Sequence, residues 1–313
     1  MTYGGLPRGK LIEFSGEEGA SKTTLALDIC KNASNIIDLE DNNHKILFID
    51  AENTLDPIWA KKIFPEFDKY VIYLQPQQQT AEEIFQIAVD LISTGEIILC
   101  ILDSIAILYT EQEEEKSMEG ATYAGVSKAL TKFSRLIVPI CAKHNTMLIG
   151  INQLRDNLNW GGGTVTTGGR AWKHNCSVRL EMKRYEYFSE DRKALNTNAE
   201  NPFGHTIKVS LKKSKAFPSN RKLNYYTLVY TKGIDILADT ITVASEIGVV
   251  KRSGSWLEIQ DLETGEIIPN TKVQGVTNLR KLLVEEPELL ELITNQVNKE
   301  ISKPECYLDE EFV

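Results

Sequence analysis

The chain has 313 residues, of which 42% are hydrophobic and 25% charged, and a formal net charge of −9. This balance indicates a globular protein with a core and excludes one that coats nucleic acid by charge alone, although it allows a local basic groove. Because no apolar run approaches the roughly 20 residues of a membrane span and the N-terminus lacks the layout of a signal peptide, we expect a cytoplasmic protein with no membrane partner.

The cysteines, at positions 30, 100, 141, 176 and 306, are scattered and include no C-x-x-C pair. Cys30, Cys100 and Cys141 lie in apolar segments. We therefore predict buried free thiols in a reducing compartment rather than a disulfide or a metal site.

The first motif lies between an apolar strand at 10–14 and an apolar helical run that begins near residue 25. A loop in this position presents backbone N–H groups and a helix N-terminus to an anion, which predicts phosphate binding. The predicted phosphate-binding residues are Gly16, Glu17, Glu18, Gly19, Ala20, Ser21, Lys22, Thr23 and Thr24.

Within this loop, Lys22 would reach the β- and γ-phosphates, and the hydroxyl of Thr23 would bind Mg²⁺. The match to G-x-x-x-x-G-K-[ST] is imperfect, because Ser21 stands where the pattern has glycine. Taken alone, the loop is either a nucleotide site or an ordinary strand–helix turn with a surface lysine.

Two further apolar strands end on carboxylates. The run at 46–50 ends at Asp50, with Glu52 shortly after it, and the run at 97–103 ends at Asp103. Ligands bind at the carboxyl ends of the strands in open parallel sheets. Asp103 has the context of a Walker B acid, whose carboxylate holds Mg²⁺ or a water of its shell.

Strands and helices alternate up to residue 152, which predicts a parallel sheet flanked by helices. Pro139 is expected to kink a long helix or to end it early. We place further strands at 70–74 and 146–152, helices at 54–64, 80–94 and 123–144, and a polar connection at 32–44.

Two segments interrupt this alternation. Residues 109–120 are rich in glutamate and are predicted to form a mobile acidic loop. Residues 154–169 contain too much glycine to order as a regular element without a partner. Trp160, within the second segment, is either a stacking residue or a surface anchor.

The last third of the chain changes to alternating strands and then, from about residue 235, to a small α+β unit. Lys212, Lys213 and Lys215 lie at the end of one strand, where a solvated edge is sufficient to explain them. We place strands at 177–183, 206–213 and 223–230, an exposed insert at 189–202, helices at 238–247, 276–284 and 287–299, and short strands around 256–259.

Together these features resemble the RecA family of DNA-strand-exchange ATPases, in unbroken order from about Gly4 to Ile301. The segments that carry the resemblance are GGLP at 4–7, FIDAE at 48–52, LDPI at 55–58, LDS at 102–104, INQLR at 151–155, TTGG at 166–169, SVRL at 177–180 and SGSW at 253–256.

The resemblance implies an α/β fold: a RecA-like P-loop ATPase core, mostly a parallel sheet flanked by helices with antiparallel strands at one edge, plus a small C-terminal α+β domain. The implied boundaries are 1–234 for the core, 235–302 for the small domain and 303–313 for an acidic tail. DNA-binding loops are expected at about 110–120 and 153–169.

The resemblance also implies roles around ATP and Mg²⁺. Glu52 would activate the attacking water, with Lys22 and Gln153 completing the catalytic set. Gln153 would sense the γ-phosphate and couple it to the second DNA loop. Thr23 and Asp103 would hold the metal.

The resemblance also implies that two further pairs of residues contact a nucleotide. Asp56 and Trp59 would contact adenine, with the Trp59 ring stacked on the base. Lys213 and Lys215 would reach the ATP of a neighbouring subunit, and this context favours a functional role over a solvated edge.

The Gly-rich stretch becomes the second DNA loop. Single strands need charge together with apolar or aromatic platforms, and Leu158 matches an apolar residue that wedges between base steps. Lys251 and Arg252 either touch duplex DNA or lie in an exposed turn. The predicted DNA-binding residues are Arg155, Leu158, Trp160, Gly161, Gly162, Gly163, Arg170 and Lys173.

Three departures from the family pattern matter. Ser21 is expected to weaken or slow turnover. The N-terminal helix and strand that normally dock on the next protomer are missing, and His174 replaces an aromatic interface residue, so the usual filament contact is not expected as such. The first DNA loop is short and rich in glutamate, so it either faces away from DNA or weakens binding.

The leading hypothesis is an ATP- and Mg²⁺-dependent recombinase that binds single-stranded DNA as a filament or ring and promotes homologous pairing and strand exchange. Double-stranded DNA is a second candidate partner. The rival is a RecA-like nucleotide-binding scaffold or modulator with little or no ATP turnover. A third hypothesis is a RecA-fold helicase or loader, against which the Gly-rich loop followed by Thr-Gly-Gly at 167–169 argues.

Overall fold

The computed structural model describes residues 2–40, 43–111, 125–156, 164–196 and 198–303. The chain divides into two compact units. The larger unit holds residues 7–234, and the smaller unit holds residues 2–6 together with the part of the chain from residue 235 onward.

The larger unit alternates strands and helices along most of its length. In chain order its elements are β1 (Leu11–Gly16), α1 (Lys22–Leu39), β2 (Lys45–Asp50), α2 (Pro57–Ile63), α3 (Phe67–Tyr70), β3 (Val71–Leu74), α4 (Ala81–Ser93), β4 (Ile97–Asp103), α5 (Gly125–His144), β5 (Met147–Asp156), β6 (Thr164–Thr166), α6 (Gly169–Asn175), β7 (Val178–Phe188), β8 (Ala194–Leu195), β9 (Gly204–Ser214), β10 (Leu223–Val229) and β11 (Gly233–Ile234).

One mixed sheet runs through this unit in the order β11-β10-β9-β7-β1-β5-β4-β2-β3. The strands from β7 to β3 pair in parallel, while β9, β10 and β11 continue the sheet antiparallel at one edge. The predicted fold class is confirmed. The strand β7 joins the two parts, since it pairs parallel to β1 and antiparallel to β9.

The central strands β1 and β4 are buried along their whole length, as strands covered on both faces should be. On one side, α4 and α5 pack together through the stacked rings of Phe85 and Phe133, whose centroids are 4.3 Å apart. Trp172 from α6 is fully buried in the same core. It fits because Gly150 on β5 has no side chain: an added Cβ would lie 2.5 Å from the indole ring.

Several predicted boundaries were wrong. The helix α1 continues through the expected polar connection to Leu39, because Ala33, Ser34 and Ile37 recur on its buried face. Of the two outcomes predicted for Pro139, an early end of the helix does not occur, because Pro139 lies inside α5 and the helix continues to His144. Residues 154–156 extend β5, and residues 164–166 form β6 against them, so both ends of the Gly-rich stretch are regular.

The smaller unit has its own core. Its helices α7 (Ile236–Glu246), α8 (Gly275–Glu285) and α9 (Pro287–Ile301) accompany a sheet of β12 (Val250–Ser253), β13 (Trp256–Ile259) and β14 (Val273–Gln274). The buried side chains include Ile241, Leu257 and Leu279. The carboxylate of Asp235 caps α7 by accepting from the Ala238 N–H at 3.1 Å, and Arg280 pairs with it. The predicted helices and strands of this region are confirmed.

Cys30, Cys100, Cys141 and Cys176 are buried free thiols, as expected for the first three. Burial raises the pKa of the Cys141 thiol to about 12, so it stays protonated. None of the helices in the described ranges combines the length and apolar character that crossing a bilayer requires.

Candidate nucleotide-binding site

The loop between β1 and α1 depends on two glycines. At Gly16 an added Cβ would lie 2.5 Å from the backbone oxygen of Met182 on β7, so the loop can pass this strand only without a side chain. Gly19 has a φ of +71°, in the left-handed region that glycine adopts without cost. These two positions produce the tight turn into the helix.

Ser21 occupies a third special position, directly before α1, with φ 57° and ψ 27°. A Cβ in this left-handed region costs about 1 kcal/mol, which glycine avoids. The Ser21 side chain makes no capping hydrogen bond to the helix. The chain therefore keeps a glycine-like backbone here despite the serine.

Lys22 begins α1, and its Nζ donates to the carbonyl oxygens of Gly16 at 3.1 Å and Glu17 at 2.8 Å. Burial lowers the pKa of Lys22, although the carboxylates of Asp103 and Glu52 raise it in part. A half-buried cation beside a helix N-terminus makes this loop suited to an anion such as a phosphate.

Thr23, one residue further along α1, contacts the end of β4. Its hydroxyl donates to Oδ2 of Asp103 at 2.6 Å. Asp103 is 4% exposed, and burial raises the pKa of its carboxyl to about 7; the Thr23 hydrogen bond opposes this rise, and Glu52 and Asp50 add to it. A hydroxyl and a carboxylate are the hard oxygen ligands that Mg²⁺ takes beside phosphates, so these side chains fit that ion.

Glu52 lies beside this pair. Its Oε1 accepts hydrogen bonds from the hydroxyl of Ser104 at 2.5 Å and from Nε2 of Gln153 at 2.9 Å. Two backbone N–H groups, of Ala51 and Glu52, donate to the carbonyl oxygen of Asp103 at 2.6 and 3.2 Å. The carboxylate is thus held by Ser104, which follows β4, and by Gln153 on β5.

The sheet register explains why these residues meet. Asp50 is paired with Asp103 across β2 and β4, and Gly16 is paired with Gln153 across β1 and β5. All four strands are parallel, so their carboxyl ends reach the same edge. Among the described residues, no group of three or more His, Cys, Asp or Glu side chains is arranged to hold a metal by itself.

The carboxylate of Asp50, by contrast, accepts hydrogen bonds that stabilise the turn after β2. Its Oδ2 accepts from the Leu55 N–H at 3.0 Å and from the Tyr73 hydroxyl at 2.9 Å. This buried carboxylate therefore fixes the chain between β2 and α2. Asp56 caps α2 by accepting from the Ile58 N–H at 2.9 Å.

The residues expected at adenine and at a neighbouring subunit's ATP lie on separate elements. Trp59 is half-buried on α2. The Nζ of Lys213 donates to the carbonyl oxygens of Lys173 at 2.8 Å and His174 at 2.6 Å, and Lys215 lies 3.4 Å from the second. Both lysines therefore contact the C-terminal end of α6, where a helix attracts cations.

A buried carboxylate connects the site to the base of the Gly-rich stretch. Glu13, on β1, is 0% exposed and accepts from the Asn152 amide at 2.9 Å and the Trp172 indole at 3.0 Å. Arg179 on β7 pairs with its other oxygen. Asn152 also accepts from the Thr167 hydroxyl at 2.6 Å. This network joins β1, β5, α6 and β7.

Of the predicted DNA-binding residues, Arg155 is exposed at the end of β5 and donates to the Ala106 carbonyl at 3.0 Å. Arg170 and Lys173 lie on α6, the first exposed and the second half-buried. The remaining predicted residues of this loop, Leu158, Trp160, Gly161, Gly162 and Gly163, lie outside the described residues, as do positions 112–120 of the first loop and positions 304–313 of the acidic tail.

Sequence reasoning also missed several residues that border the site. His205, on β9, has its Nε2 3.5 Å from the Ser21 hydroxyl and its Nδ1 2.9 Å from the Tyr230 hydroxyl. Ser104 holds Glu52. The sequence contains a signal for Glu13, because a charged residue inside an apolar strand indicates a buried polar contact. It contains no comparable signal for His205.

Known families match nearly the whole chain. Residues 1–235 match the RecA N-terminal domain, and residues 238–302 match the RecA C-terminal domain. Protein RecA of Ruminococcus albus is 30% identical over 300 residues, which covers 95% of this chain and 69% of that protein. Protein RecA of Clostridioides difficile is 31% identical over 300 residues, covering 95% of this chain and 78% of that protein.

A solved structure supports the fold independently. The crystal structure of the RadB recombinase superposes with a TM-score of 0.51 at 18% identity and covers 74% of this chain and 91% of that one. At this identity the likeness concerns the fold alone.

Proposed function

Because the chain belongs to the RecA family, we propose that it is a recombinase that binds single-stranded DNA with ATP and Mg²⁺ and promotes homologous pairing and strand exchange. One observation carries the proposal: the Thr23–Asp103 pair and the Glu52–Gln153 pair lie together beside Lys22 at one edge of the sheet. These are the groups that a phosphoryl-transfer site requires.

In this proposal each group has one task. The loop N–H groups and Lys22 bind the β- and γ-phosphates, and Thr23 with Asp103 holds Mg²⁺. When bound, the metal neutralises phosphate charge. Glu52 takes the proton of the attacking water on its carboxylate, as a general base. Gln153 donates to that carboxylate.

The remaining assignments extend the site outward. We assign Asp56 and Trp59 to adenine, and Lys213 and Lys215 to the ATP of a second copy in a filament or ring. Arg155, Arg170 and Lys173 would contact DNA phosphates. We assign the protein to the cytoplasm of a bacterial cell. The glutamates of the first loop, at about 110–120, would weaken DNA binding if that loop faces the DNA.

ATP hydrolysis with and without single-stranded DNA tests the proposal. We expect DNA-stimulated turnover that falls to background in Lys22→Ala and Glu52→Ala. Glu52→Ala should still bind nucleotide, whereas Lys22→Ala should bind poorly. Imaging with single-stranded DNA and a non-hydrolysable ATP analogue should reveal filaments or rings; monomers in that image would contradict the assembly.

The alternative is a nucleotide-binding scaffold with little turnover. The backbone of Ser21 favours it, because a strained loop residue beside Lys22 would slow the chemistry. Measurable ATP binding without hydrolysis in saturating single-stranded DNA would support this alternative and defeat the recombinase ATPase.

A further inference from the structure

Ser21 has the backbone of a glycine, and its side chain is directed toward another part of the sheet. It adopts a left-handed conformation and makes no capping hydrogen bond to α1. Its hydroxyl instead lies 3.5 Å from Nε2 of His205, a residue 184 positions later in the chain. A loop residue under backbone strain thus has a tertiary partner on β9.

His205 is a rigid partner. It is 2% exposed. Its ring packs against those of Tyr187 and Tyr230, with centroids 6.0 and 5.3 Å away. The preceding residue, Gly204, lets β9 approach its neighbours, because a Cβ there would lie 2.1 Å from the Leu228 carbonyl oxygen. The position of the imidazole is therefore set by packing.

The His205 ring is neutral at about pH 7. Burial lowers the pKa of His205 to about 4, with Arg184 adding to the effect, while a hydrogen bond to the backbone of Gly19 raises it. One nitrogen of a neutral imidazole donates and the other accepts. The Ser21 hydroxyl lies 3.5 Å from Nε2 and the Tyr230 hydroxyl 2.9 Å from Nδ1, and a hydroxyl can take either role. The ring therefore has a hydrogen-bonding partner on each side.

We propose that His205 is a positioning residue that holds the segment from Gly19 to Ser21 in its phosphate-binding shape, and so compensates for the serine. Its Nε2 faces the hydroxyl of Ser21 in this segment. This inference rests on the proposed nucleotide site. It predicts an interdependence: a chain with glycine at position 21 should need His205 less, because glycine adopts the same backbone without help.

The test is a double-mutant cycle on nucleotide affinity in the full chain. The probe is Mg²⁺ with ATP that carries a fluorescent N-methylanthraniloyl group. His205→Phe, which keeps an aromatic ring but has no nitrogen that can form a hydrogen bond, should weaken binding about tenfold. In the Ser21→Gly background, the same change should weaken it by less than about threefold.

Two controls separate this role from a general loss of structure. His144→Phe makes the same substitution at the far end of α5 and should leave affinity unchanged. Thermal unfolding should show that each variant is folded at the assay temperature; if His205→Phe is not, His205→Leu replaces it and is judged by the same comparison. A loss that only reflected a damaged sheet would be equal in both backgrounds.

The outcomes are distinct. Equal losses with serine and with glycine at position 21, or no loss in either background, overturn the role of His205. If the unmodified chain binds the probe and Lys22→Ala does not, the nucleotide site stands whatever His205 does. If the unmodified chain does not bind the probe, the proposed function itself fails.

Discussion

Glu52 and Gln153, 101 positions apart in the chain, share a hydrogen bond of 2.9 Å at the carboxyl edge of the sheet. Glu52 follows β2 and Gln153 lies on β5, and the parallel pairing of both strands with β4 brings the two residues together. In the proposed site, a carboxylate beside the phosphates and an amide at the base of the proposed DNA loop are thus in direct contact. A change at the γ-phosphate that moves Glu52 would alter this bond.

Glu52→Gln should separate chemistry from binding. The amide keeps the size of the side chain but cannot take a proton from water, so we expect kcat for ATP hydrolysis to fall by at least about 100-fold. Affinity for Mg²⁺ and ATP should change by less than about threefold, since this residue is not assigned to the phosphates. Single-turnover hydrolysis and equilibrium binding measure the two effects.

Gln153→Ala provides the matched comparison. It deletes the donor to Glu52 but leaves the carboxylate, so basal hydrolysis should persist while its stimulation by single-stranded DNA is lost. The ratio of rates with and without DNA is the relevant measurement. If single-stranded DNA stimulates hydrolysis normally in this variant, Gln153 does not couple DNA binding to ATP hydrolysis.

Thr23→Val should make nucleotide binding insensitive to Mg²⁺. The substitution keeps the branched shape but removes the hydroxyl that contacts Asp103 at 2.6 Å. We expect the gain in ATP affinity on adding Mg²⁺ to fall by about tenfold or more, because an oxygen ligand is lost. Thr23→Ser keeps the oxygen and should preserve that gain, which titrations with and without EDTA can compare.

Arg179→Met should destabilise the larger unit strongly. It leaves the buried Glu13 carboxylate without its cationic partner, and breaking a buried pair in this way costs about 3–5 kcal/mol. The matched control is Lys61→Met, which breaks the exposed pair with Asp68 and should cost less than about 1 kcal/mol. Urea unfolding followed by circular dichroism measures both; equal midpoints would show that Glu13 has no need of Arg179.

The pH dependence of the free energy of unfolding should show the contribution of His205. Its pKa is lowered to about 4 in the folded chain from an ordinary 6.5, so the unfolded chain binds the extra proton between these values. Its contribution is therefore complete above pH 6.5 and is lost as the pH falls toward 4.

His205→Asn, which cannot ionise in this range, should remove that contribution. Between about pH 7 and about pH 5 the native chain should lose up to about 2 kcal/mol more stability than the variant. Urea unfolding at the two pH values gives the difference, in which the other titrating groups cancel. Identical pH profiles would mean that the histidine is already solvated in the folded chain.

Local patterns in the sequence predicted much of this protein. Apolar runs that end at Asp50 and Asp103, and a glycine-containing loop before Lys22, indicated a parallel sheet with a phosphate site at its edge. These signals are readable because a buried strand and a tight turn each require particular residues in consecutive positions. The helix end near Leu39 was misjudged because a partly buried helix carries many polar residues on its outer face.

The tertiary structure alone decided which distant residues meet. The predicted roles did not show that Asp50 holds its own turn, that Ser104 and Gln153 share one oxygen of Glu52, or that Ser21 faces His205. The reason is physical: a strand's register and its neighbours in the sheet depend on packing across the whole core. A histidine in a strand carries no local signal of the loop it will contact 184 positions away.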